Sequence, residues 1–314
     1  MFTKRFDELT AKDVNIAGGK GASLGEMTQT GIPVPPGFVI LCRAFRQFIE
    51  EADIKAAIIE TLKTAEEDTL TLERASEKIK RLILTAKMPR GIALDILAGF
   101  SKLNAKLVAV RSSAAAEDSS TASWAGQLES YLNVTENKLL EKVQRCWASL
   151  FSPRAILYRF EKNLGCKEIS VAVVVQEMVD SEVSGIAFSV NPVTVDRNHI
   201  VIEACFGFGE AIVQGKLTPD NYVIEKKGLH IVSKQVNVQK SARVKTSSGN
   251  GWINLPEAKG RLQKLSDREI LELARLVVKV ERHYGFPVDI EFAIANGEIS
   301  ILQSRPVTTL VNNI

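Results

Sequence analysis

The chain has 314 residues, 45% hydrophobic and 25% charged, and its 40 basic against 37 acidic side chains leave a formal net charge of +3. That size allows two domains or one large domain with two lobes. The weak charge balance argues against a nucleic-acid partner, and the one basic stretch, residues 234–245, lacks interleaved aromatics and reads as a solvated loop or hairpin edge.

The N-terminus, Met1-Phe2-Thr3-Lys4-Arg5-Phe6-Asp7, has no apolar run and does not read as a signal peptide. Gly18-Gly19-Lys20-Gly21 forms a glycine-rich loop ahead of a helix-compatible segment, 22–28. Residues 32–38 carry Pro33, Pro35 and Pro36 and read as a turn into a short strand. Helical periodicity with many Glu, Lys and Arg fills 43–100. Residues 107–111 are a strand, followed by a long small-residue loop, 112–123, of the kind that usually serves a function. A strand at 128–134 precedes helices at 136–150 and 153–164, the second closed by Gly165.

Strands follow at 170–176, 185–190 and 199–205, then a hairpin of 222–225 and 230–233, and a loose Ser/Gly loop at 246–251. Ser266 and Glu269 make a capping box that opens a helix running to about Tyr284. The chain closes with strands at 288–294 and 298–305 around Ala295-Asn296-Gly297. The longest apolar runs, such as 171–175, are strand-sized and far short of the roughly 20 residues that span a bilayer. Cys42, Cys146, Cys166 and Cys205 show no C-x-x-C or metal-ligand spacing and read as reduced thiols of a cytoplasmic protein. The pattern is α+β in two lobes, 1–180 and 181–314, with no internal repeat.

Five constellations can carry chemistry. The glycines around Lys20 let backbone N–H groups approach phosphate oxygens, with Lys20 as a mobile charge; the competing reading is a turn with a surface lysine. Arg111 ends a buried strand and can fork onto phosphates, or pair with Glu117 or Asp118. Gln176-Glu177-Met178-Val179 suits a hinge that pairs adenine with backbone groups, Met178 and Val179 supplying apolar contact, or is an ordinary strand end. Glu203-Ala204-Cys205-Phe206-Gly207-Phe208-Gly209-Glu210 carries glycines that mark a bulge or tight turn.

The terminal hairpin is the most informative. Asp289 and Glu291 share a strand face. A three-residue loop, with Gly297 left-handed, pairs Ile294 with Glu298 and brings Gln303 and Arg305 to that same face. A two-residue Asn296-Gly297 turn would instead put Gln303 on the opposite face from both carboxylates. Two carboxylates and an amide on one face suit a Mg²⁺ ion that also holds nucleotide phosphates. The competing reading is a salt-bridged surface hairpin.

As a set, and in this order, Ala17-Gly18-Gly19-Lys20-Gly21-Ala22-Ser23-Leu24-Gly25-Glu26-Met27, Val110-Arg111-Ser112-Ser113-Ala114, Ser123-Trp124-Ala125-Gly126-Gln127, Ser184-Gly185-Ile186-Ala187-Phe188-Ser189, Gly207-Phe208-Gly209-Glu210, Thr218-Pro219-Asp220, Asp289-Ile290-Glu291 and Gln303-Ser304-Arg305-Pro306 resemble the N-terminal ATP-binding domain of pyruvate phosphate dikinases and phosphoenolpyruvate synthases, nearest to the synthases. Rifampicin phosphotransferases share these motifs, and their ATP-binding domain is the alternative that the resemblance leaves open. The resemblance spans roughly residues 14–310. Trp124 departs from it, standing where the family usually has a smaller aromatic.

The resemblance implies an ATP-grasp fold with ATP held between two lobes. It implies phosphate contacts for Lys20, Arg111 and Arg305, metal contacts for Glu291 and Gln303, and a further functional acid at Asp289. It places Gln176, Glu177 and Val179 at an adenine hinge, Gly126 in a loop over the phosphates and Glu210 in the nucleotide-binding set. Family chemistry moves the β-phosphoryl of ATP to a histidine on a swivelling domain, with pyruvate bound in a barrel domain. Here His199, His230 and His283 lack the family's phosphohistidine setting, and no barrel follows Pro306. The chain therefore reads as one module, whose partner domains act in cis or in trans. A nucleotide sensor without phosphotransfer is the alternative from another class.

Overall fold

The structure is a computed structural model that describes residues 1–114, 118–119, 122–123, 129–161, 171–247 and 249–307. It divides into two compact units: Met1–Glu26 with Pro36–Met178, and Met27–Pro35 with Val179–Ile314.

In the first unit, β1 (Thr3–Arg5), α1 (Val14–Gln29, which continues into the second unit), β2 (Gly37–Ile40), α2 (Cys42–Glu51), α3 (Lys55–Thr64), α4 (Thr69–Thr85) and α5 (Arg90–Leu103) come first. They are followed by β3 (Val108–Ser113), the two-residue strands β4 (Asp118–Ser119) and β5 (Ala122–Ser123), β6 (Ser130–Val134), α6 (Glu136–Ser149), α7 (Pro153–Glu161) and β7 (Ala172–Glu177). An antiparallel sheet of order β1-β2-β7-β3-β6 forms the frame.

Helical spacing of apolar residues explains the layer on one side of this sheet. Phe45, Phe48 and Ile49 of α2, Leu72, Ile79 and Ile83 of α4, and Leu139, Val143 and Trp147 of α6 are buried with the sheet residues Phe38, Ile40, Val108, Val110, Val173 and Val175. Trp147 anchors the layer, its ring centroid 5.0 Å from that of Phe48 and 5.6 Å from that of Phe45. Asp68 caps α4 by accepting from the Leu70 and Thr71 amides, and left-handed Asn104 closes α5.

By strand alternation, the opposite face carries Val39, Ala109, Arg111, Ser113, Val174 and Gln176. Helix α1 approaches this face, and its approach is set by glycine. Gly18 breaks the helix at φ 70° and ψ 168°. A Cβ there would lie 2.2 Å from the Ser113 carbonyl oxygen, and a Cβ at Gly21 would meet Val39 at 3.0 Å.

The second unit holds β8 (Val183–Phe188), β9 (His199–Phe206), α8 (Glu210–Val213), β10 (Asp220–Glu225), β11 (His230–Gln235), β12 (Ser241–Thr246) and β13 (Gly249–Asn254). Then come α9 (Glu257–Gly260), α10 (Asp267–Tyr284), β14 (Val288–Ala295) and β15 (Glu298–Pro306). Its six-stranded antiparallel sheet runs β11-β10-β9-β8-β14-β15. One face, with Ala187, Ile202, Tyr222, Ile290 and Phe292, is buried on the side that packs against α10. The Ser266–Glu269 capping box opens α10 and left-handed Gly285 closes it.

The α+β class expected from the sequence is the one observed. Two details differ. Residues 246 and 249–251 are not part of a loose loop but belong to the β12–β13 hairpin, held by backbone pairing from Thr246–Gly249 to Ser241–Asn254. Among its side chains Ala242 is buried while Trp252 and Ile253 are exposed, so the hairpin lacks the apolar alternation that marks a strand in sequence. A single division at residue 180 also misplaces 27–35. The Ile301 amide donates to the Pro33 carbonyl at 2.7 Å and Lys279 Nζ to the Gly31 carbonyl at 3.0 Å, which ties that segment to the second unit. Gly165, Glu117, Trp124, Gly126 and Cys166 lie outside the described residues.

Gly18 and Gly285 both have positive φ, 70° and 76°, but Gly18 at ψ 168° lies in a region nearly closed to side chains, whereas Gly285 at ψ 11° is left-handed helical and a Cβ there meets nothing within 4 Å. Gly285→Ala should therefore cost about 1–2 kcal/mol, the intrinsic left-handed penalty. Gly18→Ala adds a backbone clash and should cost at least about 1 kcal/mol more. Denaturant midpoints of the two variants check the order; equal losses would show that the Ser113 contact yields freely.

Candidate functional site

In the first unit, Lys20 is 5% exposed and its Nζ donates to the Ser112 carbonyl at 3.0 Å. The backbone amides beside it are not presented to an anion as the sequence suggested. The Gly19 amide donates to the Ala114 carbonyl at 3.1 Å and the Gly21 amide to Ser113 Oγ at 3.0 Å. The glycines serve the close approach of α1 to the end of β3, and Lys20 is the buried cation at that junction.

Arg111 pairs in register with Val174, and Gln176 pairs with Ala109, so the two polar side chains lie on the same sheet face in diagonal positions. Gln176 is 2% exposed and its Nε2 has no hydrogen-bond partner among the described residues. At the end of β7 the Glu177 amide donates to the Pro36 carbonyl at 2.8 Å, and the Met178 amide to the Leu107 carbonyl at 3.0 Å. Pro36 has no N–H with which to return the bond, so the Glu177 carbonyl lacks the reciprocal ladder donor and remains an acceptor. Gly126, the expected phosphate-loop residue, lies outside the described residues.

In the second unit the terminal hairpin corrects one expectation. The turn has two residues, Asn296 and Gly297, at φ 52° and 75°, and Ala295 pairs with Glu298. Left-handed residues at both positions are what a type I′ turn requires, and its twist suits the strands it joins, so it prevails over the three-residue loop. In a regular ladder this turn would send Gln303 to the wrong face. A bulge corrects the parity: Phe292 pairs with Ile301, Leu302 is the extra residue, and Glu291 pairs with Gln303. Asp289 then pairs with Arg305. The four side chains share one face, by a route different from the one the sequence suggested.

Register extends that face across the sheet. One row runs Asn221, Glu203, Ile186, Glu291, Gln303, and the next runs Val223, Val201, Phe188, Asp289, Arg305. Asn221, Glu203, Ile186, Glu291, Phe188 and Arg305 are half-buried, in contrast to the closed face against α10. Arg305 Nε and Nη2 both lie 2.7 Å from Asp289 Oδ2. Burial pushes the Asp289 carboxyl above its ordinary range; Arg305 opposes the shift and Glu291 adds to it. Gln303 is 8% exposed, and its side-chain amide makes no hydrogen bond among the described residues. Among those residues no group of three or more His, Cys, Asp or Glu side chains is placed to hold a metal. Glu291 and Gln303 form a pair on this face that could offer oxygens to a Mg²⁺ ion, which takes one or two protein ligands alongside water and phosphate.

Glu210 begins α8 and receives Arg243 Nε at 3.2 Å. The strand leading into it, β9, pairs at Ala204 with Asp220, which heads a buried network. Asp220 accepts the Asn237 amide at 2.9 Å and Lys264 Nζ at 2.8 Å on one oxygen, and the Tyr222 hydroxyl at 2.7 Å and the Lys264 amide at 3.0 Å on the other. Gln239 bonds both the amide and the carbonyl of Phe206. Val179, the expected hinge residue, is half-buried at the start of the second unit's main segment. Glu203 was legible only as the start of a glycine-containing turn; the alternation of β9 is the signal that places it on the half-open face.

This arrangement of motifs belongs to a defined class. The family model for the pyruvate phosphate dikinase AMP/ATP-binding domain matches residues 14–313, and the chain is a member of that family. Among individual relatives, a probable phosphoenolpyruvate synthase of Methanocaldococcus jannaschii is 44% identical over 98% of this chain and 27% of its own length. The phosphoenolpyruvate synthase of Pyrococcus furiosus is 39% identical over 98% of this chain and 44% of its own length. The chain thus spans between about a quarter and a half of these relatives. Among solved structures, a D-alanine–D-alanine ligase from Helicobacter pylori aligns with 66% of this chain and 44% of its own at 12% identity and a TM-score of 0.29, a likeness that carries no argument. No described helix is long and apolar enough to cross a membrane.

The raised Asp289 carboxyl has a consequence for stability. Folding takes up a proton at pH values above the ordinary 3.8, so the stability this group contributes below that value is lost as pH rises through the folded value. Asn at this position does not titrate. The melting temperature of Asp289→Asn relative to the parent should therefore be more favourable at pH 7 than at pH 4. A difference independent of pH would show that Arg305 fully offsets the burial.

Proposed function

We propose that this chain is the Mg-ATP-binding phosphotransfer module, of the ATP-grasp type, of a dikinase like phosphoenolpyruvate synthase. The observation that carries the reading is the parity of the terminal hairpin. Glu291 stands opposite Gln303 and Asp289 opposite Arg305, on the sheet face turned away from the one that packs against α10. A hairpin of purely structural purpose has no need of a bulge that returns a buried amide, without a partner among the described residues, to the side of a carboxylate.

In this reading Lys20, Arg111 and Arg305 neutralise the phosphates, with Gly126 in the loop above them. The forked guanidinium of Arg111 and the point charge of Lys20 suit oxygens on adjacent phosphoryl groups. Glu291 and Gln303 supply hard oxygens to Mg²⁺, which when bound draws charge from the phosphoryl oxygens. Asp289 holds the Arg305 guanidinium and fixes where its remaining donors point. The Glu177 carbonyl accepts from the adenine amino group and the Val179 amide donates to the ring, with Gln176 as a further donor. Glu210 completes the nucleotide set. Such chemistry asks the protein for positioning and charge neutralisation rather than a covalent intermediate of its own.

The complete reaction converts ATP, pyruvate and water to AMP, phosphoenolpyruvate and phosphate, with a histidine on a swivelling domain as relay and a barrel domain for pyruvate. The greater length of the synthases this chain resembles supports such domains in cis. AMP formation from Mg-ATP on adding the histidine-bearing domain, and none on omitting it, is the result that supports phosphotransfer. Tight ATP binding without AMP under either condition would reduce the module to a sensor.

Mg-ATP at about 100 times its dissociation constant should stabilise the chain by about 2.7 kcal/mol. A melting temperature unmoved by millimolar Mg-ATP sinks the reading. Arg111→Ala should weaken ATP at least about tenfold while leaving adenosine affinity within about twofold, since charge-assisted bonds to phosphate are the ones removed. Glu291→Ala should abolish the Mg-dependent part of ATP affinity at unchanged apo melting temperature. A large apo loss instead would assign Glu291 to the hairpin's own stability.

A further inference from the structure

The face that carries Glu291 and Gln303 holds one more carboxylate without a role. Glu203 lies in the same row, separated from Glu291 by Ile186 of β8, and has Asn221 of β10 on its other side. Two strand spacings put its backbone roughly 10 Å from that of Glu291. It is half-buried, and among the described residues no cation or hydrogen-bond donor reaches its side chain. Burial alone pushes its carboxyl up. The same chain satisfies the Asp220 carboxylate with four donors, so an unanswered carboxylate is not a general habit of this sheet.

A half-buried carboxylate accepts hydrogen bonds and offers none, which limits what it can meet. Phosphate oxygens would be repelled. A metal shared with Glu291 would have Ile186 between its two ligands, whose backbones stand two strand spacings apart. What remains is a neutral group with O–H or N–H donors, placed to the side of the metal-binding pair. In a nucleotide the donors nearest the phosphates are the sugar hydroxyls. Ile186 offers the apolar face of the sugar a surface, and the Asn221 amide can donate and accept beside it.

We propose that Glu203 reads the ribose of the bound nucleotide, its carboxylate accepting hydrogen bonds from the 2′ and 3′ hydroxyls, and so selects ribonucleotides over deoxyribonucleotides. The proposal rests on the nucleotide-binding reading above and assigns a specificity residue within it.

Calorimetric titration of the whole chain with ATP and with 2′,3′-dideoxyATP, each with Mg²⁺, tests it. The parent should bind ATP roughly tenfold or more tightly than the dideoxy analogue, as expected for hydrogen bonds to a charged group. Glu203→Gln and Glu203→Ala should lose most of that advantage while binding the dideoxy analogue as the parent does. The glutamine variant is isosteric and removes the charge without a cavity, so it keeps the test valid if the alanine variant does not fold. A variant that retains the full advantage, or a parent that binds both nucleotides equally, overturns the assignment and leaves ATP binding intact. A parent that binds neither nucleotide overturns the nucleotide reading itself.

Discussion

Strand parity is the constraint on which the second unit's chemistry depends. Side chains alternate along a strand, so a one-residue change in the β14–β15 register moves every side chain of β15 to the other face. The Asn296–Gly297 turn is locally favoured and taken alone gives the wrong parity. Leu302, set out of the ladder, restores it. Turn and bulge are thus one device in two places: the first closes the hairpin with a twist the strands accept, and the second re-aims Gln303 and Arg305 at Glu291 and Asp289. Bulges add local twist and re-aim side chains. Here the re-aimed residues include Gln303, buried and without a hydrogen-bond partner for its side-chain amide among the described residues.

Close approach plays the corresponding part in the first unit. The end of β3 is pinned to α1 by Gly18, whose missing Cβ admits the Ser113 carbonyl, and by the Gly19 and Gly21 amides that bond to Ala114 and Ser113. Lys20 stands between those two amides and bonds Ser112. Arg111 is one residue before Ser112 on the same strand. The glycines therefore place both cations on one rigid junction of helix and strand, and their backbone is spent on that junction rather than on the ligand.

What the sequence made legible follows from range. The Ser266–Glu269 cap, the left-handed glycine at the end of α10 and the helices 42–103 depend on neighbours a turn away, and local pattern reports them. The grouping of Asp289, Glu291, Gln303 and Arg305 was legible too, but for a reason the structure replaces: face-sharing was deduced from loop length, whereas it comes from a bulge. Nothing local marks Leu302 as the residue to leave unpaired, because that choice compares two strands over the whole hairpin. The β12–β13 pair escaped notice because backbone pairing, not apolar alternation, makes it. The placement of 27–35 escaped notice because it rests on bonds to Lys279 and Ile301, far away in sequence.

The polar interior separates groups that hold the fold from groups that await something. Asp220 and Lys264 have fully buried side chains, and an ion pair so placed is tolerable only when each remaining lone pair and proton is met. Tyr222, the Asn237 amide and the Lys264 amide meet the carboxylate, while the Asn237 and Gly260 carbonyls meet the ammonium. That network fixes the strand ends that lead into the Gly207–Glu210 turn. Gln303, Gln176 and Glu203 are left without such partners, each at the cost of desolvation that nothing in the described chain offsets. A sequence that satisfies Asp220 so completely is able to supply partners where the fold alone needs them. On the reading proposed above, these groups are stability given up for ligand contacts, and they share sheet faces with Arg111 in the first unit and with Glu291 and Arg305 in the second.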